Sequence, residues 1–125
     1  MNYHFENFKE FTLFLYIYIA DSDDFIHETE VEVIKKKIPK LFPNTDAEKV
    51  YQEALKKFRA FKKEEVEQVI HSNFKEHQEK SFTSKYKIFT DLYDIIVADG
   101  VLDERETRSI QKLKDIIDQN LEQKN

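Results

Sequence analysis

One glycine and two prolines in 125 residues leave this chain almost without the residues that make tight turns. That scarcity restricts it to folds built from long, uninterrupted elements, because sheet proteins need glycine, proline or their substitutes at every reversal. Charged residues make up 36% of the chain and hydrophobic ones 40%, a mixture that suits amphipathic helices with one solvated face and enough apolar surface to enclose a single core. The expected fold class is all-α, a compact single-domain bundle. The single glycine also removes every glycine-rich phosphate loop, dinucleotide turn and nucleophile elbow. The absence of cysteine removes disulfides, thiolate zinc sites and cysteine nucleophiles.

Apolar spacing marks out six helices. Phe5, Phe8, Thr12, Leu15 and Ile19 fall on one stripe and Phe11, Phe14 and Tyr18 on another, so the first helix is apolar almost all round and should run through the core. Val31, Ile34, Ile38 and Leu41 give a narrower stripe from about Glu28, with Pro39 expected to end or kink that helix near Ile38. Thr45 and Glu48 read as the capping box of a third helix, with Ala47, Val50, Tyr51, Ala54, Leu55 and Phe58 inward and an end near Phe61. Val66, Val69, Ile70 and Phe74 define a fourth between Lys63 and His77. The fifth takes Phe82 to Ala98, and its stripe of Phe82, Tyr86, Phe89, Tyr93 and Ile96, joined by Leu92, Ile95 and Val97, predicts burial on most sides. Asp103 and Glu106 cap a sixth, with Ile110, Leu113, Ile117 and Leu121 inward. Residues 1–121 form one domain, and 122–125 are a polar tail.

The chain also repeats itself. An offset of 78 residues pairs Phe8 with Tyr86, Phe11 with Phe89, Phe14 with Leu92, Ile17 with Ile95, Ala20 with Ala98 and Asp21 with Asp99. Past the aspartate the offset falls to 76, pairing Ile26 with Leu102, Glu28 with Glu104, Glu30 with Glu106 and Ile34 with Ile110. Two copies of helix, acidic turn and helix follow, and the only glycine, Gly100, sits in the second turn, where a left-handed residue would close the preceding helix.

Ala98-Asp99-Gly100 through Glu106, and Ala20-Asp21 through Glu30 with its two-residue insertion, resemble the TerB-like family of tellurite-resistance helical domains, which is similar in turn to the N-terminal domain of DjlA-type co-chaperones. The resemblance implies a bundle of about seven helices, the extra one supplied by a short turn around Lys40 to Phe42. It also implies a divalent-metal site at the acidic turns. Mapped here, the ligands are Asp99 and Glu106 in the second turn and Asp21 and Glu30 in the first, with Asp23, Asp24 and Asp103 as further oxygens. A set made only of oxygens favours Ca²⁺ or Mg²⁺ over Zn²⁺. The first turn departs from the family pattern, with Ser22 in place of the glycine and His27 at the acidic or small position.

The same residues have a second reading without any ion. Asp103 with Glu106 is a sufficient helix cap, and Asp99-Gly100 a sufficient helix terminator. An EF-hand is excluded at the first turn: Asp21, Asp23 and Glu32 fit its positions, but Phe25 stands where a ligand belongs and Ile26 where the glycine must be. Zinc fares no better, since Val31 occupies the second histidine of an HExxH pattern begun by His27-Glu28.

The net charge of −5 argues against a nucleic-acid partner. Lys56, Lys57, Arg59, Lys62 and Lys63, interleaved with Phe58 and Phe61, read as a solvated face over core aromatics. The apolar run Phe11 to Ala20 is too short to span a bilayer and ends in aspartates, so no transmembrane segment is expected; peripheral membrane association stays open. A cytoplasmic location is expected. With no catalytic motif among its 25 acidic residues, the chain reads as a non-enzyme that binds a divalent cation and a protein partner in tellurite or other stress response. The alternative is a metal-free protein–protein interaction module whose acidic residues are helix caps.

Overall fold

Asn7 starts the central helix, its side chain accepting the Lys9 N–H at 2.7 Å, and α1 (Phe8–Ala20) then buries every residue from Phe11 to Ile17, with Ile19 and Ala20 beyond. An almost wholly apolar helix is stable only where other helices surround it, and α2 (Glu28–Leu41), α3 (Ala47–Arg59) and α6 (Glu104–Glu122) all pack on it. Between them come α4 (Lys63–Glu76), which packs on α6, and the helical residues 90–95, α5. The computed structural model describes residues 3–5, 7–21, 26–76, 87, 90–95, 97–98 and 104–122, excepting the side chains of 76, 105, 106 and 116–122. The protein is a compact all-α bundle, and among the described residues there is no strand.

The core is an aromatic chain threaded by α1. Phe14 lies 5.2 Å from both Phe5 and Phe58, ring centre to ring centre, and Phe11 packs edge-on against Phe74 at 4.9 Å. Ile34 and Ile38 from α2, Val69 and Ile70 from α4, Leu92 and Ile95 from α5, and Ile110 and Leu113 from α6 complete it. The face of Lys56, Lys57, Arg59, Lys62 and Lys63 is exposed, over a buried Phe58 and a half-buried Phe61.

Five expectations about element boundaries and faces need correction. Phe5 is buried but lies before α1, in irregular backbone. Pro39 does not end α2, which runs on to Leu41. A proline in the last turn forfeits a single helical bond, the one a residue 39 N–H would donate to the Lys35 carbonyl, and Leu41 beyond it packs on the core. Lys40 and Leu41 therefore belong to α2, and no separate helix forms around Lys40 to Phe42. The cap of α3 is Asp46 rather than Thr45: its carboxylate accepts the Glu48 and Lys49 N–H groups, while the Thr45 hydroxyl donates to the Phe42 carbonyl at 2.6 Å, closing the turn in which Asn44 adopts φ 65°. On α5, Tyr93 is 50% exposed, and Val97 in the turn beyond it is 49% exposed, because only the face carrying Leu92 and Ile95 meets the core.

Candidate functional site

Of the seven acidic residues considered for a cation, two have described side chains. Asp21 is the residue that closes α1, its N–H donating to the Ile17 carbonyl at 2.9 Å, and it is half-buried. It borders a hollow of about 220 Å³ shared with Lys63, Glu67 and Lys112, the last two joined in an ion pair at 2.9 Å. Glu30 sits in the first turn of α2, 1% exposed, and its Oε1 accepts the His27 N–H at 3.1 Å. That is the back-reaching half of a capping box, made with histidine at the cap. The same device starts α4, where Glu65 accepts the Lys62 N–H at 2.9 Å.

Glu106 falls in the first turn of α6, with its side chain outside the described set. Asp23, Asp24, Asp99 and Asp103 lie outside the described residues altogether. Among the described residues no three His, Asp or Glu side chains converge as a metal-binding group, and Glu30 does not border the hollow beside Asp21.

A different polar cluster joins α1, α2 and α5. The Tyr16 hydroxyl, on a side chain only 2% exposed, donates to Asp91 Oδ2 at 2.7 Å. Lys37 Nζ donates to the other oxygen of the same carboxylate at 3.1 Å and to Asp94 Oδ2 at 3.0 Å. The Lys37 and Asp91 side chains are 12% and 17% exposed, so this pair works at lower effective dielectric than a surface one. Burial pushes the Tyr16 phenol far above its ordinary value, and its bond to Asp91 pushes the same way. Burial pulls the Lys37 ammonium down, but the bonds to Asp94 and Asp91 outweigh it, and the net shift is upward. Beside the network lies a hollow of about 170 Å³, bordered by Lys9, Lys37, Lys40 and Lys87 together with Tyr16 and Asp91.

Periodicity does not reveal this cluster, because it treats Tyr16 as one more apolar position and Lys37 as a lysine near a helix end. The available signals are a hydroxyl in the middle of an apolar helix, which needs a buried acceptor, and Asp91 beside the buried Leu92. Asn73 is a second residue of this kind. Fully buried on α4, it accepts the Phe5 N–H at 2.9 Å through Oδ1 and donates through Nδ2 to the Tyr3 and Val69 carbonyls at 2.9 and 2.8 Å.

No helix of the described residues is long and apolar enough to cross a membrane. Compared with protein-family models, with curated proteins and with solved structures, the chain matches none.

Proposed function

We propose that this protein is a non-catalytic helical interaction module that works without a metal, its acidic turn residues serving to start and stop helices. The observation that carries the reading is Glu30, a carboxylate 1% exposed whose Oε1 accepts the His27 N–H. Its Oε1 is committed to the start of its own helix, where the macrodipole at the N-terminus favours the charge, while among the described residues its buried Oε2 takes no hydrogen bond. Asp21 supports the same view as the residue that closes α1, its N–H donating to the Ile17 carbonyl. The TerB-like resemblance, with its connection to tellurite and other stress, belongs to this proposal as the parentage of the module, in a cytoplasmic setting. Its partner is a protein, met at the solvent face of α5 and the turn that follows, where Tyr93 and Val97 stand four residues apart and half exposed.

The test is calorimetric titration of chelator-treated protein with Ca²⁺, Mg²⁺, Mn²⁺ and Zn²⁺ in turn, beside affinity capture with and without chelator. Expected are no saturable heat, no rise in melting temperature, and the same captured proteins in both buffers, lost in Tyr93→Ser/Val97→Ser. Micromolar binding of one ion that disappears in Asp99→Asn would overturn the metal-free reading in favour of a cation bridging the acidic turns.

A further inference from the structure

We propose that the hollow between the start of α1, the end of α2 and the beginning of α5 binds a phosphate dianion, free or as the monoester of a small molecule. Four ammonium groups border it, those of Lys9, Lys37, Lys40 and Lys87, and two carboxylates, Asp91 and Asp94, are bonded to Lys37. Four positive and two negative charges leave +2, in a chain whose net charge is −5. That is a local surplus of the sign and size a phosphate dianion would cancel.

The surplus is placed rather than diffuse. Tyr16 donates to one oxygen of Asp91 and Lys37 to the other, so the carboxylate is held from two helices and Lys37 is fixed at the wall of the hollow; among the described residues, two of its three N–H bonds are spent. Lys9, Lys40 and Lys87 are exposed, and among the described residues no carboxylate pairs with them. Three mobile ammoniums around one fixed ammonium is an arrangement for a compact, multiply charged oxyanion. Lysine binds phosphate as a point charge, whereas arginine's planar fork matches carboxylates and phosphates alike. The volume of about 170 Å³ admits a phosphate group and a few attached atoms, and no extended chain.

The experiment is a titration of the ¹⁵N-labelled protein with inorganic phosphate, and separately with glycerol phosphate, at constant ionic strength in chloride, following backbone amide shifts. Saturable shifts at Lys9, Thr12 and Leu41 are expected at millimolar concentrations, weakened about tenfold in Lys40→Gln and in Lys87→Gln. Lys112→Gln, which breaks the distant pair with Glu67, should leave them unchanged. Saturation by both probes admits the ester; saturation by inorganic phosphate alone identifies the free ion as the ligand. Shifts that never saturate, that survive both lysine substitutions, or that spread equally over Lys56, Lys57, Lys62 and Lys63 would overturn the proposal as general charge attraction. The substituted lysines are exposed, so the variants should fold, and an unchanged melting temperature verifies it.

Discussion

The residue whose loss should cost most for its size is Asn73. Its amide meets a backbone N–H and a backbone C=O two residues apart on the segment before α1, as a neighbouring strand would, and adds a bond to Val69 on its own helix. Among the described residues only Glu30 is a polar residue buried to a similar depth. Removing Asn73 strands the Phe5 N–H in an apolar setting between Phe11 and Phe14, and a buried group left without its partner costs about 1–3 kcal/mol. Asn73→Ala should lower unfolding free energy by about that amount in a urea titration, and should open the Tyr3–Phe5 segment to proteolysis. Asn73→Asp, which keeps the acceptor but turns a buried carboxylate oxygen onto the Tyr3 and Val69 carbonyls, should cost at least as much. An Asn73→Ala variant as stable as the parent would mean that the segment is not latched. Glu30 acts at the same scale in a simpler way, as the back-reaching acceptor of a capping box in which His27 stands where serine or aspartate is usual.

At the scale of elements, caps decide boundaries more sharply than apolar stripes do. Thr45 and Asp46 are adjacent, both are good capping types, and a Glu follows Thr45 at the right distance; only the backbone geometry separates the roles, with Asp46 extended at φ −83° and ψ 109° and its carboxylate turned onto two N–H groups. Asp46→Ala should therefore destabilise the protein by about 1 kcal/mol. Thr45→Ala, which loses one exposed turn bond, should cost about half of that. Thermal melts of the pair compare them directly, and a larger loss at Thr45 would return the cap to that residue. α2 teaches a related point, since Pro39 is a poor helix residue that survives in the final turn because Leu41 is anchored to the core. α5 shows where the pattern overreaches. Aromatic and aliphatic residues on several faces suggest a buried helix, yet two of them face water because a charged edge of Asp91 and Asp94 turns toward Lys37.

For the whole molecule, the network that ties α1, α2 and α5 together also sets a limit on alkaline stability. Tyr16, Tyr18 and Tyr51 all have phenols raised by burial, and Lys37 is raised as well by its two carboxylates. For each, the folded state holds its proton at pH values where the unfolded chain releases it. Their contribution is therefore complete below the ordinary value of about 10 and is lost as pH climbs toward the folded values. Stability should be flat from neutral pH to about 9.5 and then fall by up to about 1.4 kcal/mol per pH unit for each group so held. Unfolding free energies measured between pH 8 and 11 check this, with Tyr16→Phe expected to be less stable at pH 8 but to show a shallower alkaline decline. A decline of equal slope in both proteins would mean that Tyr16 titrates freely.

The sequence alone determined the fold class and the central position of α1, because both follow from chain-wide properties: one glycine, a helical period, and a segment apolar on every side that has nowhere to go but inward. It also located the inward faces of α2, α3 and α4, each of which places its apolar residues at helical spacing. The role of Glu30 was legible only as a choice between cap and ligand, since a carboxylate three residues into a helix suits either until its burial and its partner are known. Only the tertiary structure decided the rest. Asn73 meets Phe5 across 68 positions of chain, and Tyr16 meets Asp91 across 75. No local period carries pairings at such separation, because they arise from the way helices stack, and that is settled by the shapes of whole faces rather than by the residues that end up touching.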